Sequence, residues 1–123
     1  MTTVDTLVWT AVCGYDELLP ERGVCALVDG WQVAVFRLYD GTLRAVGNHD
    51  PAGGASVLSR GIVGSRGDTP TVASPLYKHV YDLTTGRCLD DDAYAVPVVP
   101  VRDHDGRVEV GVGPGTGPAG VGT

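Results

Sequence analysis

Basic residues are scarce in this chain: 9 Lys and Arg stand against 15 Asp and Glu, giving a formal net charge of -6 at pH 7. Nucleic acids and anionic membrane surfaces recruit clustered cations, so neither is expected as a partner. Cysteine is equally ill placed for a metal knuckle or a disulfide framework. Cys13, Cys25 and Cys88 are odd in number and far apart, with no Cys-x-x-Cys pair, so all three read as free thiols. No apolar run approaches a membrane span, and Met1-Thr2-Thr3-Val4-Asp5-Thr6 lacks the basic stretch and apolar core of a secretion signal. The cytoplasm is therefore the expected location. Helical periodicity is nearly missing: only Tyr15 to Leu19 suits a turn of helix, stopped by Pro20.

Turns and short extended segments fill the space that helices do not. The 123 residues fit one domain, which buries roughly two-thirds of its unfolded surface and needs no metal or disulfide to fold. The 18 Gly and 8 Pro exceed ordinary usage and imply many turns. Asp29-Gly30, Asp40-Gly41 and Asp105-Gly106 are hairpin dipeptides, because Asp and Gly tolerate the positive φ of primed turns. Around them, Val24 to Val28, Trp31 to Leu38 and Leu43 to Val46 read as a three-strand meander. The middle segment is apolar on both faces and should lie at the centre of the core. Further strands are expected at Leu7 to Val12, Thr71 to Ala73, His79 to Leu83, Val98 to Val101 and Arg107 to Val110.

This rhythm predicts an all-β fold of two small antiparallel sheets, a sandwich or barrel spanning residues 1–110. Gly47 to Pro70, rich in glycine with only isolated apolar residues, reads as a long projecting loop. Residues 111–123 carry no charge and few large side chains, too little to offset their ordering entropy, so a disordered tail is expected.

Two loops then bring a resemblance. Asp40-Gly41 followed by Leu43-Arg44-Ala45-Val46 resembles the hairpin that delivers the first ligand loop of a Rieske protein. Ser74-Pro75-Leu76-Tyr77 followed by Tyr81-Asp82-Leu83-Thr84-Thr85-Gly86-Arg87 resembles the second loop and the strand and turn after it. A Rieske [2Fe–2S] centre takes two Cys and two His; the corresponding positions here are Asn48, Asp50, Ser74 and Tyr77. More narrowly, Asp50-Pro51, the run from Gly54 to Gly64 and Ala73-Ser74-Pro75-Leu76-Tyr77-Lys78 resemble the small subunit of the assimilatory NAD(P)H-dependent nitrite reductase, a Rieske-like domain without the cluster ligands. The similarity runs from about Val8 to Val110.

That resemblance implies a Rieske-like sandwich with long loops at the former cluster site, and a chain that binds no cofactor and is not catalytic alone. By the same resemblance, a large subunit holding FAD, an iron–sulfur cluster and sirohaem carries out the six-electron reduction of nitrite to ammonia with NADH or NADPH. The small subunit would stabilise or orient that partner.

The residues themselves point the same way. Asn48 supplies no thiolate, Ser74 and the Tyr77 phenol ionise reluctantly, and Asp50 alone is a plausible hard-metal ligand. Asp50 and Asn48 are expected to hydrogen-bond the turn around Pro51, with Ser74 fixing the second loop and Tyr77 either plugging the old cavity or making a contact. His49 and His79 lie close to the ligand positions, but no cysteine accompanies them in the loops. A nucleophile-elbow motif is absent. Gly115-Thr116-Gly117-Pro118-Ala119-Gly120 fits G-x-G-x-x-G only by composition, and Arg66-Gly67-Asp68 reads as a solvated loop.

What remains is a surface in which Arg60, Arg66, Lys78 and His79 gather basic character around the loops, with Leu76 and Tyr77 as apolar contacts. These six are the partner-interface candidates. Two other functions stay open: a Rieske-type ferredoxin component of an oxygenase, which requires unconventional ligands, and a cluster-free binding or regulatory module.

Overall fold

A computed structural model describes residues 8–76 and 79–112. Strands β1 (Val8–Gly14), β2 (Gly23–Val28), β3 (Trp31–Arg37), β4 (Leu43–Gly47), β5 (His49–Asp50) and β6 (Ala55–Ser56) occupy the first half. They are followed by β7 (Ile62–Arg66), β8 (Thr69–Ala73), β9 (Val80–Asp82), β10 (Val101–His104) and β11 (Arg107–Val112). The only helices among the described residues are two 3₁₀ turns, Tyr15–Glu17 and Leu58–Arg60. None of the described helices is long and apolar enough to cross a membrane.

Strand β3 organises the interior because its residues are apolar on both faces. Val33 and Val35 point into one core with Val28, Trp31, Val108 and Val110, under the β1–β11–β10 sheet. Ala34 and Phe36 point the other way, into a second core with Val46, Leu58, Val72, Tyr81 and Leu83. All four β3 side chains are fully buried. Burying Val33, Val35 and Phe36 contributes about 1.5–3 kcal/mol each and the Ala34 methyl less, so the shared strand holds the two halves together.

The meander β2–β3–β4 forms in the expected order. Asp29-Gly30 and Asp105-Gly106 have both residues at positive φ, as two-residue primed turns require. Asp40-Gly41 does not follow them: only Gly41 is at positive φ, and Leu38 N–H donates to the Thr42 carbonyl at 2.8 Å, closing a wider turn.

Several sequence expectations need correction. Among the described residues, three three-stranded sheets and the β5–β6 ribbon replace the expected two sheets. Residues 47–70 are not one loop, because β5, β6, β7 and the start of β8 lie within them. β7 is an edge strand with mostly exposed side chains, so its ladder to β8 leaves no apolar periodicity to read. The Arg66-Gly67-Asp68 tripeptide makes the turn of that hairpin, with Gly67 at φ +61°. The strand expected from Val98 begins only at Val101, since Pro97 and Pro100 lack the N–H groups a ladder needs. β11 continues to Val112, whose side chain is buried in the first core, so the folded part extends past 110. Residues 113–123 of the expected tail lie outside the described residues, as does the G-x-G-x-x-G match.

Candidate functional site: two loops joined through Asp50

The first loop leaves β4 and doubles back as the β5–β6 ribbon; the second follows β8. Asp50, in β5, faces inward and is fully buried. A carboxylate in that position must be satisfied by protein donors, since burying it bare is very costly. Its Oδ2 accepts the Ser74 hydroxyl at 2.5 Å, across the gap between the two loops. Its Oδ1 accepts the Tyr81 hydroxyl from β9 at 2.7 Å and the Ala52 N–H at 3.0 Å. Burial alone would raise the Asp50 pKa, but hydrogen bonds from Ser74, Tyr81 and the backbone of Gly53 and Ala52 outweigh it and leave it lowered. Asp50 is therefore the ionised centre of a closed network. Burial, followed by the hydrogen bond to Asp50 and its charge, pushes the Tyr81 phenol well above its usual value and keeps it a donor.

Asn48 is also buried and also fully engaged. Its Nδ2 donates to Gln32 Oε1 at 2.9 Å and to the Ser56 carbonyl at 3.1 Å, while Oδ1 accepts the Ser59 N–H at 2.7 Å. Its backbone carbonyl accepts the Leu58 N–H at 3.0 Å. The side chain thus pins the Leu58–Arg60 turn to β3 rather than bonding the turn around Pro51. Asp50 does bond that turn, through Ala52. Ser74 fixes its own loop as expected by accepting the Leu76 N–H at 3.3 Å, and its N–H donates to the His79 carbonyl at 2.9 Å.

This geometry has relatives. Residues 8–111 match the Rieske-like [2Fe-2S] domain family. The nitrite reductase (NADH) small subunit of Salmonella typhimurium is 42% identical over 103 residues, covering 83% of this chain and 95% of that protein. The chain belongs to this small-subunit family. A crystal structure described as an NADH-dependent nitrite reductase small subunit from Mycobacterium tuberculosis superposes with a TM-score of 0.84 at 53% identity, over 86% of this chain and 96% of that one. The nitrite reductase [NAD(P)H] large subunit of Klebsiella oxytoca also contains a matching segment, 40% identical over 84% of this chain but only 11% of that protein.

For a member of a Rieske-like family the fit of a [2Fe–2S] cluster must be tested on the side chains. It fails. Asn48, Asp50 and Ser74 point inward and spend their polar atoms on protein partners. Cys25 is exposed on β2 beyond Asn48, and Cys88 is buried in the second core. His49 is exposed. The ring of His79 packs edge-on against Tyr94 with centroids 5.8 Å apart. Among the described residues no group of three or more His, Cys, Asp or Glu converges. A cluster of two thiolates and two imidazoles has no place in this donor set.

Four of the six interface candidates, Arg60, Arg66, Leu76 and His79, lie among the described residues. Arg60 is exposed at the end of its 3₁₀ turn, without an ion pair among the described residues, and Leu76 is 48% exposed. Arg66 instead pairs with Asp90 at 3.0 Å, and Asp90 also accepts the Val80 N–H at 2.8 Å. Those side chains are 50% and 37% exposed, so the pair contributes at most about 1 kcal/mol. Its use is to tie the β7–β8 hairpin to the segment beyond β9. Tyr77 and Lys78 lie outside the described residues.

Sequence reasoning missed Tyr81, read only as part of a strand. The available signal was a tyrosine at an inward-facing position, whose hydroxyl needs a buried partner. Tyr81→Phe is expected to lower stability by about 2 kcal/mol, the usual worth of a hydrogen bond to a charged group. Denaturant unfolding monitored by circular dichroism checks it. The pH dependence has two limbs. The Asp50 pKa is lower folded than unfolded, so its stabilisation is present above its unfolded value of about 4 and is lost as pH falls through the folded one. Tyr81 is raised, so its contribution is complete below its unfolded value of about 10 and declines above it. Stability measured against pH should show both limbs in the wild type, with the alkaline limb reduced in Tyr81→Phe.

Proposed function

We propose that this chain is the non-catalytic small subunit of a cytoplasmic NAD(P)H-dependent nitrite reductase that serves nitrite assimilation. It stabilises or orients a large subunit that carries FAD, an iron–sulfur cluster and sirohaem and reduces nitrite to ammonia. One observation carries this reading: two of the positions at which a Rieske protein holds its iron, Asp50 and Ser74, are joined to each other and to Tyr81 in a buried hydrogen-bond network. Such a network ties the two loops together and occupies the polar atoms of Asp50 and Ser74 with protein partners. It speaks against the ferredoxin alternative, which needs a cluster. The family relationship supports a large-subunit partner over an unrelated regulatory role. Arg60, Leu76 and His79 lie at the 3₁₀ turn and the second loop, and with Arg66, Tyr77 and Lys78 they are assigned to the partner-facing side in this reading.

Reconstitution tests the role directly. Large subunit mixed with this chain is expected to melt higher and turn over nitrite faster than large subunit alone. Equal melting and equal turnover would contradict the proposal.

A further inference from the structure

The β7–β8–β9 sheet has one face in the second core and a second face that is partly open to water, and the register assigns each side chain to one of them. Val63, Val72 and Tyr81 are directly opposite one another across the three strands, and Cys88 bridges to Tyr81 beyond them. This line forms part of the second core. Directly opposed residues of antiparallel strands point to the same side, and the next position points to the other. Ile62, Ala73 and Val80 are the next opposed set, and Leu89, whose N–H donates to the Val80 carbonyl at 2.7 Å, extends it. The outward face therefore carries a continuous apolar line, roughly 14 Å long at ~4.8 Å per strand.

This line meets water at its two ends, with Ala73 and Val80 half-buried between them. Ile62 is 75% exposed and Leu89 38%, while Leu76 in the adjoining loop is 48% exposed. Single exposed apolar residues are ordinary, whereas a contiguous apolar line bordered by polar groups marks an interaction site. Polar groups border it: Asp82 lies in the neighbouring line beyond Gly64 and the buried Thr71, and Arg60 stands two positions before Ile62. Ala73 immediately precedes Ser74, so the hydrogen bond from Ser74 to Asp50 anchors the end of β8 on which the line is built.

We infer that the outward line Ile62–Ala73–Val80–Leu89, with Leu76, is the surface that the large subunit covers. This rests on the small-subunit reading above. The occupant follows from the Klebsiella oxytoca relative, in which a segment like this chain is part of the large subunit's own polypeptide. A domain tethered in that way is held beside the large subunit at one copy each, and an outward apolar line is the feature such a permanent contact buries.

The test measures affinity of the full chain for the large subunit by sedimentation, with thermal melting of each variant alone. The Ile62→Glu/Leu89→Glu double variant is expected to bind about tenfold or more weakly, because a carboxylate is forced into the centre of the contact. Ile62→Glu alone, at the more exposed position, should weaken binding severalfold with unchanged melting, which covers any instability of the double variant. Leu27→Glu, on β2 and 71% exposed, should bind within about twofold of wild type. Wild-type affinity in both Ile62 variants, or equal weakening by Leu27→Glu, would overturn the assignment while leaving the small-subunit reading intact. Failure of the wild-type chain to bind the large subunit would instead overturn that reading and the occupant with it. A wild-type homodimer that Ile62→Glu dissolves, with large-subunit binding unaffected, would replace the large subunit by a second copy and likewise overturn the proposal.

Discussion

Asp50→Ala is expected to lower the stability of the chain by about 3–5 kcal/mol, a large part of the 5–15 kcal/mol typical of a whole domain. The substitution deletes three acceptor contacts at once. The Ser74 and Tyr81 hydroxyls and the Ala52 N–H lose their partner, and the first two donors come from outside the Asp50 loop. Each buried donor left unpaired costs about 1–3 kcal/mol, and the space vacated by the carboxylate adds a cavity. Asp50→Asn is the informative companion. It keeps the volume and one acceptor oxygen but removes the charge, so an intermediate loss of about 1–3 kcal/mol is expected, together with a flatter acid limb of stability against pH. Chemical denaturation of the three proteins at pH 7 and pH 3 measures both effects. Equal stability of wild type and Asp50→Ala would mean that the loops are held together by something other than this carboxylate.

Gly86→Ala should cost a comparable amount, about 3–5 kcal/mol, for a steric reason. Gly86 closes the turn after β9 at φ +81°, a region that side chains rarely enter. Its N–H donates to the Asp82 carbonyl at 2.7 Å, and its own carbonyl accepts the Val96 N–H at 2.7 Å. A Cβ there would run into the Val96 carbonyl oxygen, a backbone atom held by that same pairing. The turn cannot move without releasing the segment that covers the second core. Gly67→Ala is the control: its φ is +61°, but open space surrounds the missing Cβ. It should cost only about 1 kcal/mol, the strain of the backbone alone. The difference between the two melting curves isolates the clash with Val96.

The sequence disclosed some of this and concealed the rest for definite reasons. β3 was legible because Val33, Ala34, Val35 and Phe36 leave no polar face, which only a doubly covered strand tolerates. The turns at Asp29-Gly30 and Asp105-Gly106 were legible because their chemistry is local. β7 was hidden because its pairing with β8 rests on backbone hydrogen bonds, while Gly64, Ser65 and Arg66 carry no apolar signal. At the site, the substitutions at Asn48, Asp50 and Ser74 were visible as the loss of ligands. Their replacement by a network was not, since Ser74 and Tyr81 lie 24 and 31 positions from Asp50 and only the folded sheet brings them together. Asn48 misled for the same reason: Gln32, its main side-chain partner, is 16 positions away on β3.

The loops of this Rieske-like fold are closed by protein hydrogen bonds where a cluster-bearing Rieske centre holds metal. Iron and acid-labile sulfide, assayed in the chain purified alone under anaerobic conditions after growth with abundant iron, test it most directly. Both should be far below one per chain, with no visible absorption band. Two irons and two sulfides per chain, the content of a [2Fe–2S] cluster, would contradict it.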